Sequence, residues 1–268
     1  MRRGACRGLL IALLGLGAKP AAAAAVLDAE AALEVGQTAI GRQLGDHAFR
    51  DTERRAVRLS DFRGKPLIIN LVYTGCSSVC PLVVQSLHRA VEVAQDALGQ
   101  DSFRIATIGF DVRQDTPERM RAFAHAQGVA LKDWRFLSAD EETIRRLASE
   151  VGFVAYPAPQ GFDHLALTTI VDANGRIYRQ IYGGAFETPA VVEPLKELVF
   201  GARADWTSFE GMINRVRLFC TLYDPRTDRY RFDYSPFVGM AIGLLALTGI
   251  AGFAFREWRR GRRPLPGA

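Results

Sequence analysis

The sequence predicts an α/β layer protein that carries one membrane-spanning helix, on three observations. Between about residues 44 and 200, short runs rich in β-branched residues alternate with stretches of helical period, the pattern of helices laid on a mostly buried sheet. The first run, "KPLIINLVY", reads as a central strand buried on both faces. Near the C-terminus, Phe237 to Phe255 holds no charge over nineteen residues, a length that at about 1.5 Å per residue roughly matches a hydrocarbon core of ~30 Å.

In chain order, "MRRGACRGLLIALLGLGAKPAAAAA" has the basic start, short apolar stretch and small-residue end of a secretory signal peptide, residues 1–25. A polar N-terminal segment, 26–43, leads into the main domain, 44–200. After the central strand, Pro81 opens a helix to about Leu98, since proline suits a first turn. "RIATIGF", Arg104 to Phe110, is a second buried strand. "DTPERMRAFAHAQG" is a helix with Asp115 or Thr116 as cap, Pro117 at its first position and Gly128 as its stop. "WRFLS" is a brief strand, and Ser138 to Glu141 resembles a capping box for a helix running to about Val151. "LALTTIVDANGRIYRQIYG" gives two strands around an Asn-Gly turn, and Thr188 to Phe200 closes with a helix. Strand, helix, strand, helix, hairpin, helix is the order of the thioredoxin fold, here with one helix inserted before the hairpin. A connector, 201–235, returns the chain to the transmembrane helix, 236–255, and a basic tail, 256–268.

Tyr230 and Tyr234 before the apolar span, Trp258 after it and five arginines from Arg256 to Arg263 are the borders of a membrane helix whose C-terminus is cytoplasmic. The expected topology is single-pass in a bacterial inner membrane with the main domain periplasmic. Of the net charge of +5, the signal carries +4 and the tail +4, so residues 26–255 stand at −3. The basic balance is therefore targeting, and it excludes a nucleic-acid footprint.

Three cysteines follow the signal: Cys76, Cys80 and Cys220. That is too few for a disulfide scaffold. In "LVYTGCSSVCPLVV" the loop between the first core strand and its helix places Cys76 and Cys80 at a helix N-terminus, where dipole and free amides favour thiolate. Thiolate is both nucleophile and metal ligand, so a redox pair and a metal site are both open, and a structural disulfide is a third reading. Redox members of the fold usually have two residues between the cysteines; three residues here allow both sulfurs to face one ion. Of the four histidines, His88 and His125 fall among polar helical neighbours and read as surface, and His47 reads as structural. His164, in "GFDHLALTTI", enters the hairpin in the loop that abuts the cysteine loop. Two thiolates and an imidazole suit copper. Asp163 is placed to orient that imidazole, Asp111 to tune the site or meet a partner, and Asp115 to cap its helix. Cys220 reads as a buried, inert cysteine near the membrane.

Three ordered segments, "LSDFRGKPLIINLVYTGCSSVCP", "DVRQDTPERM" and "DHLALTTIVDANGRIYRQIYG", resemble the SCO/SenC copper-delivery proteins of cytochrome c oxidase assembly. The resemblance implies that Cys76, Cys80 and His164 ligate copper, and that the partner is cytochrome c oxidase subunit II, at its dinuclear copper site, or its assembly factors. Two departures stand out. Asp51 is followed by Thr-Glu-Arg-Arg where the family commonly has a glycine turn, and the anchor is C-terminal where many members are tethered at the N-terminus. Metallochaperone is thus the leading expectation. A thiol-disulfide oxidoreductase that keeps the cysteines of the oxidase site reduced is the alternative, with Cys76 attacking and Cys80 resolving. A peroxidase is disfavoured because the expected threonine and proline surroundings of its cysteine are missing.

Overall fold

The computed structural model describes residues 27–159, 161–201 and 209–261; the signal segment, part of the connector and the end of the basic tail lie outside the described residues. Helix α1 (Ala29–Gln37) starts at Asp28, whose carboxylate accepts the N–H of Glu30 and Ala31. A hairpin follows, β1 (Ala48–Asp51) and β2 (Ala56–Arg58), then a tight turn at Leu59–Phe62. Strand β3 (Leu67–Val72) is buried at all six positions. After it come α2 (Val79–Leu98), β4 (Arg104–Gly109), α3 (Pro117–Ala126), β5 (Trp134–Ser138) and α4 (Glu141–Val151). A small hairpin, β6 (Ala155–Ala158) and β7 (Gly161–His164), precedes β8 (Leu167–Val171) and β9 (Ile177–Tyr182). Helix α5 (Thr188–Lys196) runs on as a wide turn to Gly201. Last are α6 (Phe209–Cys220), the hairpin β10 (Thr221–Asp224) and β11 (Arg229–Phe232), and α7 (Ser235–Gly261).

Seven strands form one sheet in the order β2-β1-β5-β4-β3-β8-β9. Strand β3 pairs in parallel with β4 and antiparallel with β8, so the cysteine loop leaves from the middle of the sheet. The thioredoxin order predicted from sequence is present, with α4 as the inserted helix. Asn70, wholly buried in β3, is the one polar residue of that strand; its side-chain carbonyl accepts from the Thr107 hydroxyl at 2.7 Å, which in turn accepts from the Trp134 indole N–H at 2.8 Å. This relay ties three adjacent strands, β3, β4 and β5, through their side chains.

Several local expectations change. Ser138 does not cap α4: it ends β5, paired with Arg50 of β1, and the cap is Asp140, which accepts from the Thr143 N–H at 2.8 Å. Helix α2 begins at Val79, so Pro81 is its third residue. Around Asn174-Gly175 the turn is wider than two residues, because Asp172 accepts the N–H groups of both Asn174 and Arg176 at 2.9 Å. In place of the family's glycine turn, Asp51 accepts the N–H groups of Glu53 and Arg55, with Arg54 at φ 65°.

The described part of the connector, 209–235, is structured. Buried Lys196 donates to the Thr221 carbonyl at 3.0 Å and pairs with Glu193 at 2.7 Å, while the Tyr230 hydroxyl donates to Glu193 at 2.8 Å. The β10–β11 hairpin is thereby fastened to α5. Helix α7 has 27 residues, about 40 Å, and is long and apolar enough to cross a membrane.

Candidate functional site

The end of β3 delivers Tyr73 into the loop that carries the cysteines. The Cys76 N–H donates to the Tyr73 carbonyl at 3.1 Å, and the Cys80 N–H, in the first turn of α2, donates to the Cys76 sulfur at 3.3 Å. Both cysteines are free thiols; Cys76 is half-buried and Cys80 fully buried. Their environments push them apart. Burial works to raise the Cys76 thiol but is outweighed by hydrogen bonds from the Cys80 and Ser78 N–H groups and from the Cys80 and Tyr73 side chains, leaving it below the ordinary range. Burial carries Cys80 far above that range, and the charges of Cys76 and Asp115 add to the effect.

His164 ends β7 and sits in an aromatic box, its ring centroid 5.3 Å from Phe110, 5.4 Å from Phe153 and 6.0 Å from Tyr73. Burial lowers its pKa, with the Leu165 main chain and Asp163 acting the other way, so the ring is neutral near pH 7. Its Nδ1 is buried without a hydrogen-bond partner, an arrangement that costs free energy whether that nitrogen carries the proton or the lone pair. Tyr73 is the common neighbour: its hydroxyl helps to lower the Cys76 pKa and its ring meets His164. Room for Tyr73 comes from Gly161, whose φ is +124° and where a Cβ would stand 2.7 Å from the Tyr73 hydroxyl.

The cysteines are thus together, while His164 is linked to them only through Tyr73; among the described residues no three His, Cys, Asp or Glu side chains form a metal-sized cluster. Asp163 is exposed and accepts the Leu27 N–H at 3.3 Å, so its carboxylate is not a partner of His164 Nδ1. Asp111 is buried and acts through its main chain, donating its N–H to Asp115 at 2.9 Å. Asp115 corrects the expectation of a cap. Thr116 caps α3, and the Asp115 carboxylate instead accepts the Thr74 N–H and the Thr74 hydroxyl, both at 2.7 Å, clasping the cysteine loop to the turn after β4. Burial raises its pKa. His47 is structural, paired with Glu150 at 2.7 Å. His88 is half-buried against Trp134, 6.0 Å between centroids, and only His125 has the exposed setting expected of it. Cys220 is half-buried at the end of α6.

The fold resembles those of solved structures. A candidate electron transfer protein from Aquifex aeolicus VF5 is 27% identical, with 59% of this chain and 92% of that chain covered and a TM-score of 0.54. Bradyrhizobium japonicum ScoI with copper bound is 24% identical over 59% of this chain and 99% of its own, TM-score 0.50. BsSco, a member of the Sco family of cytochrome c oxidase assembly proteins with an identified disulfide switch, is 16% identical over 59% and 94%, TM-score 0.52. At these last two identities the likeness speaks for the fold, which is thioredoxin-like. A model of the SCO1/SenC family matches residues 37–199, from the end of α1 to the turn after α5. Because that match spans more than half the chain and takes in Cys76, Cys80, Asp115 and His164, this chain belongs to the SCO1/SenC family.

Proposed function

We propose that this chain is a membrane-anchored copper metallochaperone, held by α7 in a bacterial inner membrane with residues 26–235 in the periplasm, and that it delivers copper to the dinuclear site of cytochrome c oxidase subunit II. Copper is its cargo, held by Cys76, Cys80 and His164 and passed by ligand exchange to a similarly soft acceptor. The observation that carries the reading is the unpartnered, buried Nδ1 of His164, whose ring meets that of Tyr73 at the start of the cysteine loop. A neutral imidazole and two sulfurs are, by their chemistry, donors suited to copper(I). Support also comes from ScoI, whose structure holds copper. The test is an anaerobic copper(I) titration of the reduced full chain against a competing chelator. One copper per chain is expected, lost in Cys76→Ser and Cys80→Ser and weakened in His164→Ala; binding indifferent to His164 would overturn the proposal.

The asymmetry of the two thiols favours a second reading, thiol-disulfide exchange. Cys76 thiolate would attack a partner disulfide and release one thiolate; Cys80 would lose its proton and attack Cys76, releasing the second. The partner gains two electrons and this chain ends with a Cys76–Cys80 disulfide. His164→Ala separates the readings, since exchange needs only the sulfurs.

A further inference from the structure

Helix α6 has two faces, and only one meets the protein. With 3.6 residues per turn, successive side chains are set about 100° apart. Gly211, Asn214 and Leu218 share the side turned to the body: the first two are buried and Leu218 packs on the core. On the opposite side, Phe209, Met212, Ile213, Val216 and Phe219 fill an arc of about 120°, all exposed, with Phe209 at 76% and Phe219 at 71%. Arg215 and Arg217 stand at the two edges of this stripe. An apolar stripe so exposed on an outward domain marks a contact surface.

The chain itself indicates what covers the stripe. The Asp233 N–H donates to the Cys220 carbonyl at 2.6 Å, so the last residue of α6 is fixed beside the backbone two positions before α7 begins. The junction is aromatic: Phe232 lies 4.8 Å from Tyr234 and 5.9 Å from Phe237 between ring centroids. Where α7 enters a bilayer, the end of α6 is at the bilayer surface. A second copy is a poorer occupant, since twelve residues, about 18 Å of helix, offer little area for a stable dimer.

We propose that α6 lies in the headgroup–acyl boundary of the bilayer that α7 crosses, its apolar stripe immersed and the exposed Arg217 reaching out to lipid phosphates. This rests on α7 spanning the membrane, and the test reads the two separately. A photoreactive benzoylphenylalanine is placed at Phe219, at Phe209, at Leu245 of α7, or at exposed Arg145 of α4, in the full chain reconstituted into phosphatidylethanolamine–phosphatidylglycerol vesicles. Lipid adducts are expected at Phe219, Phe209 and Leu245, roughly ten-fold above Arg145. Adduct at Leu245 with none at Phe219 or Phe209 would overturn the placement of α6 and leave the anchor standing, as would chain-to-chain adducts at Phe219. No adduct at Leu245 would overturn both.

Discussion

Cys76 and Cys80 share a loop but not an environment, and their titrations should differ accordingly. Cys76 is held below the ordinary thiol value of 9.0, so its reaction with iodoacetamide should rise with pH well before that of a free thiol. Cys80 is shifted upward and should stay unreactive over the same range. The sign for stability is opposite at the two sites: the Cys76 contribution is present at high pH and lost as pH falls through its lowered value, whereas the Cys80 contribution is lost as pH rises past the ordinary thiol range. Mass spectrometry of alkylated native protein checks the order, and equal rates would refute it. Asp115 makes a second case. Its pKa is raised from 3.8, so its contribution is fullest in acid and declines as pH rises through the shifted value. Asp115→Asn, which cannot accept on both oxygens, should cost about 1–3 kcal/mol and flatten that slope; a denaturation midpoint unchanged across pH would count against the clasp. The placement of Cys76 and Cys80 at the start of α2 was legible from the sequence. Asp115 was not, because "DTP" offers two cap-type residues side by side and nothing local reveals a partner 41 positions away.

Elements whose pattern is set by their own residues were legible: the apolar run of β3, and α3 with its proline start and glycine stop. The β6–β7 hairpin was not. "AYPAPQGFDH" holds two prolines and no alternation, so strand chemistry there is imposed by packing against Tyr73 and Phe110 rather than by propensity. That hairpin positions His164, and one glycine permits it. Gly161→Ala would strain a φ of +124° and push on the Tyr73 hydroxyl. A loss of roughly 1–3 kcal/mol and an altered Cys76 alkylation rate are expected; urea denaturation with the native midpoint would refute this. Likewise β1 and β2, three or four residues each, are too short to show a period and exist because β5 offers an edge to pair with.

At the scale of the whole molecule, the order of layers and the apolar C-terminal span could be read from sequence, whereas the connector could not. Its helix and hairpin are recognisable only once Lys196 is seen reaching across to the Thr221 carbonyl. Lys196→Met would leave that carbonyl and Glu193 without their cation, and should expose residues 221–233 to limited proteolysis while the sheet stays resistant; an unaltered cleavage pattern would show that the fastening does not depend on Lys196. On the proposed reading, this fastening would make α7 a mount and not a tether. A carrier free in solution must find its acceptor in three dimensions and give up all of its tumbling on contact. One mounted on a membrane helix, as proposed for this chain, would search a plane at a set height with two rotations already restrained, so a small and weak contact face around Cys76 would be enough to make each meeting count.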